Sequence, residues 1–129
     1  MPRKSQRVAY PLTFLLKKEG ELWASLTPEM GVASCGDNVD HAREMLKDAI
    51  TGRLRYLLEA GHADQIWHPM TRAGVEDFAT DPPGEVTTER YVMVVTVPAE
   101  EAGRRRRPRV EFIPSPTPTG IRTESFAAI

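Results

Sequence analysis

Residues 21–61 read ELWASLTPEMGVASCGDNVDHAREMLKDAITGRLRYLLEAG, and the fold follows from this stretch. In Glu21–Leu26 the residues Leu22, Ala24 and Leu26 alternate with Trp23, Ser25 and Thr27, the period of a half-buried strand. The aliphatic set is expected to meet a helix, which leaves Trp23 on the other face as a candidate interface anchor. Thr27–Gly31 is a turn, with φ fixed at Pro28. Val32–Cys35 is a short strand of small residues. Cys35 has no neighbouring base to make it a nucleophile and is expected to be a small core residue. Asn38 is placed to cap a helix, with Asp37 and Asp40 at the positive end of its dipole. Val39, Ala42, Met45, Leu46, Ala49, Ile50, Leu54, Leu57 and Leu58 follow helical spacing, with Arg43, Glu44, Lys47, Asp48, Arg53 and Arg55 mostly outside. Gly61 is a natural stop. Gly52 inside the helix costs about 1 kcal/mol against Ala and marks either a tolerated flaw or close approach to a partner.

Upstream, residues 1–7 form a polar, basic arm. From Val8 a strand alternates, with Val8, Tyr10, Leu12, Phe14 and Leu16 on one face. Pro11 has no N–H, so regular pairing is expected just after it. Glu19-Gly20 makes the hairpin turn into the next strand. Downstream, residues 62–90 are a long connection in which Thr71–Ala79 forms a helical turn or two, with Val75 and Phe78 inward. Arg90–Val97 (RYVMVVTV) is a strand with apolar residues on both faces. It is expected to be covered on both sides, by the helix and by another subunit. Residues 99–129 form a tail rich in Arg and Pro, in which Val110–Ile113 is a possible edge strand.

The chain has 129 residues, enough for one domain with a core. Seven of its 11 prolines lie from Pro82 onward, so the C-terminal third is loop-rich or extended. No run approaches the ~20 apolar residues of a membrane span, and Lys17, Lys18 and Glu19 follow the first apolar run where a leader would need a cleavage site. The single Cys35 excludes an internal disulfide framework and fits a reducing, cytoplasmic compartment. Charge is segregated. Residues 1–18 carry +5; residues 19–103 carry six basic and sixteen acidic residues, net −10; residues 104–129 carry +4. An acidic body does not suit phosphate binding. It suits a basic protein partner, and it also keeps a domain soluble.

Chemistry-bearing constellations are sparse. His62, Asp64 and His68 match no strong metal-ligand spacing. There is no phosphate-cradling glycine loop and no nucleophile motif. No catalytic residue, metal or cofactor is expected. Arg104, Arg105, Arg106, Arg107 and Arg109 form a basic run that is a candidate nucleic-acid contact.

The stretch WASLTPEMGVASCGDNVDHAREMLKDAI resembles the HicB-like antitoxin family. Trp23, Pro28, Glu29, Met30, Gly31, Gly36, Asp37, Ala42 and Leu46 fill the family pattern, and Tyr10-Pro11 resembles the start of its first strand. The resemblance covers roughly residues 8–98, with 1–7 as the arm and 99–129 as the tail. It implies an α+β fold of β-β-β-α-β order, with a three-stranded antiparallel sheet, a fourth strand and one long helix on one face, like a truncated ribonuclease H. Nuclease chemistry in that fold needs carboxylates on the first strand; Val8–Leu16 has none, so the domain reads as non-catalytic. The implied role is binding and neutralising a small basic HicA-type toxin that cleaves mRNA, with Trp23, Glu29 and Met30 as contacts. A homodimer or higher homo-oligomer is expected. Two departures stand out. Asn38 and His41 replace the usual Thr and Glu of the capping box. Residues 99–129 show no helical periodicity, so the DNA-binding module of many members is not expected. An orphan scaffold acting through self-assembly is the alternative.

Overall fold

The structure is a computed structural model and describes residues 6–98 and 107–115. It is an α+β fold with strands β1 (Gln6–Glu19), β2 (Leu22–Thr27) and β3 (Val32–Gly36), helix α1 (Val39–Glu59), a 3-10 turn (Ala63–Gln65), helix α2 (Arg72–Thr80), and strands β4 (Val86–Val97) and β5 (Arg109–Pro114). The five strands form one sheet in the order β3-β2-β1-β4-β5, every neighbour antiparallel.

The helix boundaries are written in local chemistry. The Asn38 side chain accepts from the His41 amide at 2.8 Å, as its cap position requires. At the other end Gly61 takes φ +77°, and the amides of Gly61 and His62 donate to the carbonyls of Leu58 and Leu57. Ala42, Leu46, Ile50, Leu54 and Leu57 are buried. The four larger ones meet Leu12 and Phe14 of β1 and Tyr91, Met93 and Val95 of β4. Phe14 packs at a tilt against Tyr91, ring centres 4.5 Å apart, and edge-on to Phe112 at 6.0 Å.

A direct return from α1 would lay the next strand parallel to β3, and hence to β1. The chain instead passes round the end of the sheet, and α2 carries it back along the opposite side, so β4 runs antiparallel to β1. There Val75 packs with Leu15 and Leu26, joined by Met70, Phe78 and Val86. The expected short helix at 71–79, with Val75 and Phe78 inward, is therefore present and closes the second side.

Several expectations are corrected. Leu26 lies opposite Leu15 and turns toward α2, so the aliphatic set of β2 faces away from α1, and Trp23, opposite Lys18, is on the α1 side. Cys35 lies opposite Ala24 on the side that α1 does not cover, at an edge strand, and is exposed rather than core. Met45 is exposed at 38% although it fits the helical stripe. β1 pairs with β4 from Gln6, ahead of Pro11. Pro11 is compatible with this because alternate N–H groups point to opposite sides. Thr13, two residues on, donates away from β4, so the N–H that Pro11 lacks would also point away from β4. Gln6 and Arg7, placed in the basic arm by sequence, belong to β1. β5 lies within the expected tail, at the edge position anticipated for it.

Candidate protein-binding surface

Glu29 and Met30 turn inward, each 8% exposed. Met30 joins the core against α1. Glu29 does structural work at the place where β2 stops: β1–β2 pairing begins only at Leu15–Leu26. The next β1 amide aimed that way is that of Thr13, and it donates to Glu29 Oε1 at 2.9 Å, while the Thr13 hydroxyl donates to Oε2 at 2.8 Å. A carboxylate accepting such bonds replaces the missing strand. Gly36 is also structural: a Cβ there would sit 2.4 Å from the Ala42 amide nitrogen, so glycine is what lets α1 start against β3. The residues of the HicB-like pattern thus mostly brace the scaffold. Of the three sequence-named contacts, Trp23 alone keeps a partly exposed surface. It lies beside Gly36, at the start of α1.

The outer side of α1 carries what sequence composition only averaged. Asp40, Glu44 and Asp48 recur at four-residue spacing and are exposed, and exposed Asp37 stands just ahead of the helix. The basic residues among them lean inward. Arg43 grips Glu89 with two bonds of 2.7 and 2.6 Å, and Lys47 lies 5.4 Å from the centre of the Tyr91 ring and 6.0 Å from that of Phe112. The Asp40 side chain is 82% exposed while that of Arg43 is 20% exposed, although the two form an ion pair. The first half of the helix therefore shows its acids outward and leans Arg43 and Lys47 onto β4 and β5, Lys47 also pairing with Glu44 at 3.3 Å; Arg53, further along, is exposed. Exposed Met45 lies on the flank of the acidic stripe, three residues before Asp48, and Trp23 lies near the start of the helix.

Beneath this surface Tyr91 donates to Glu89 Oε1 at 2.8 Å. Burial, then the hydrogen bond to Glu89, pushes the Tyr91 phenol up to about 12. For Glu89, burial favours the neutral acid, but the bonds from Arg43 and Tyr91 and the charges of Arg43 and Lys47 together outweigh it and hold the carboxyl below its ordinary range. Arg43 is raised, chiefly by its bond to Glu89.

No family model matches this chain, and no curated protein or solved structure matches it. The functional reading rests on the surface itself.

His62, Asp64 and His68 are all exposed, and among the described residues no three His, Cys, Asp or Glu side chains gather as a metal site. Arg107 and Arg109 are exposed; Arg104, Arg105 and Arg106 lie outside the described residues. Among the described residues no helix is long and apolar enough to cross a membrane. Sequence reasoning missed two surface features. Trp67 is exposed and stacks on Tyr10 at 6.3 Å, but it sits in a connection without periodicity, so nothing in the sequence drew it out. Met45 was hidden by fitting the core stripe.

Proposed function

We propose that this chain is an antitoxin-like binding protein that neutralises a small basic HicA-type, mRNA-cleaving toxin by covering its RNA-binding surface in the cytoplasm. One observation carries the reading: α1 leans Arg43 and Lys47 back onto β4 and presents Asp40, Glu44 and Asp48 outward, with exposed Asp37 just ahead of the helix and exposed Met45 on the flank of the stripe. An acidic stripe with an apolar residue on its flank suits a cationic partner, because like charges would repel and unlike ones steer the encounter. The domain acts as a cover; it contributes no catalytic group. The test is titration of a labelled HicA-type protein with the chain at 50 and 500 mM salt. Binding that weakens with salt, and that falls roughly tenfold in the Glu44→Lys, Asp48→Lys variant, supports the reading. Absence of binding at 50 mM salt overturns it.

A second reading, contact with nucleic acid through arginines, is favoured by the placement of Arg7 and Arg109 on either side of Thr96, on the sheet face away from α1, with Arg90 on that same face. Anisotropy of a labelled 20-base single strand decides it: no rise at 50 mM salt discards this reading.

A further inference from the structure

β5 is an edge strand, and its outer edge has a specific chemistry. Arg109–Pro114 pairs with β4 on one side; among the described residues no strand lies on its other side. The Ser115 amide donates to the Arg90 carbonyl at 2.9 Å. Ser115, Ile113, Glu111 and Arg109 therefore direct their backbone groups toward β4, and Val110 and Phe112 direct theirs outward. Pro108 and Pro114 share the outward phase and have no N–H. The outer edge thus offers the N–H groups of Val110 and Phe112, bounded on each side by a proline that exposes only a carbonyl.

We infer that this edge joins the β5 edge of a second copy of the chain, antiparallel about a two-fold axis, making one continuous sheet. The charges select the register. With Val110 opposite Val110, each copy's Val110 N–H donates to the other's Val110 carbonyl, and each copy's Phe112 N–H donates to the other's Pro108 carbonyl. Every outward N–H is used. Arg109 of one copy then stands opposite Glu111 of the other, twice by symmetry, in the narrow non-hydrogen-bonded position where side chains are closest. Sliding by one pairing step sets Glu111 against Glu111. Sliding by the next sets Glu111 against Ile113. Sliding the other way sets Glu111 against Arg107 but also Arg109 against Arg109, so only the first register pairs unlike charges without setting like charges opposite each other. It also brings the half-buried Val110 and Phe112 of each copy together on the α1 side, continuous with the core around Phe14. The flanking prolines end the joint after a few residues, which limits open-ended sheet growth. This pairing involves neither α1 nor its acidic stripe, and so does not depend on the toxin reading.

The experiment is light scattering of the full chain from 5 to 200 μM at 50 mM salt. The expected result is a dimer that dissociates on dilution. Val110→Pro removes an outward N–H that serves no bond among the described residues, and it should yield a folded monomer by circular dichroism. Glu111→Arg sets like charges opposite each other and should weaken dimerisation roughly tenfold. Arg109→Glu combined with Glu111→Arg swaps the pair and should restore it. That rescue keeps the test decisive even if the proline variant fails to fold. A wild-type monomer at 200 μM overturns the proposal, as does a dimer equally strong in Glu111→Arg.

Discussion

On one side of the sheet α1 fully buries Ala42, Leu46, Ile50, Leu54 and Leu57 over Leu12, Phe14 and Met93. On the other, α2 fully buries Val75 alone and is fastened by a charged side chain. Lys17, fully buried, donates to the carbonyls of Phe78 and Pro82, the latter at 2.9 Å, pairs with Glu19 at 2.9 Å, and lies 4.9 Å from the Phe78 ring centre. A long helix can be held by area alone, at about 25 cal/mol per Å2 of apolar surface removed from water. A nine-residue helix cannot bury enough, and directional bonds supply the rest. One side therefore rests mainly on apolar area, and the other leans on a buried charge.

The largest effect comes from breaking the first side. Phe14→Ala empties the junction of α1, Tyr91 and Phe112, and is expected to cost about 3–5 kcal/mol in urea unfolding. A cost near 1 kcal/mol would mean that α1 does not rest on Phe14.

Lys17→Met tests the second side. It keeps the aliphatic stem but leaves the Phe78 and Pro82 carbonyls without their donor, while removing the penalty of a buried charge. A net loss of about 2 kcal/mol is expected. Hydrogen exchange should show α2 opening ahead of α1 in this variant. Uniform exchange across both helices would contradict the division of labour described above.

Much of this was legible in the sequence. The β-β-β-α order, the Asn38 cap and the Gly61 stop are set by neighbours a few residues apart, and each reads directly from residue type and spacing. Facing was harder. Alternation in β2 shows that two sides differ but not which one meets α1; Leu26 and Trp23 exchanged sides because α2, a short segment, claimed the aliphatic set. The surface was least legible. Composition gives a body of net −10, but that Arg43 and Lys47, while pairing with Asp40 and Glu44, lean over the sheet and leave those acids outermost depends on Glu89, Tyr91 and Phe112, remote in sequence. Glu29 is the converse case, since its place in the HicB-like pattern suggested a contact and the structure gives it to the amide of Thr13.

Glu29→Gln sharpens the last point. The amide oxygen still accepts from Thr13, but the bonds lose their charge, so about 1–2 kcal/mol is expected. Binding of a basic partner should hardly change per folded molecule, because the group is not presented. A large loss of affinity with unchanged stability would restore Glu29 as a contact.

The smallest effect separates the two sides by pH. Arg43–Glu89 is the point where charge does enter the α1 side; the pair is partly buried but still reached by solvent, so Glu89→Gln is expected to cost only about 1 kcal/mol at neutral pH. Its signature lies in the profile. The folded state depresses the Glu89 carboxyl from its ordinary 4.5, so its contribution is present above that value and is lost as pH falls through the lower, folded-state value. Tyr91 has the opposite sign. Its phenol is raised from 10 to about 12, so its contribution is complete below pH 10 and is lost as pH rises toward 12. Melting temperature followed from pH 2.5 to 12 should therefore fall at both ends in the wild type. In Glu89→Gln the acid limb should become shallower, because the titrating carboxyl is gone. The alkaline limb should also flatten, because Tyr91 no longer donates to a carboxylate. Superimposable profiles would show that the Arg43–Glu89–Tyr91 chain leaves stability unchanged, and that α1 is held by its apolar face alone.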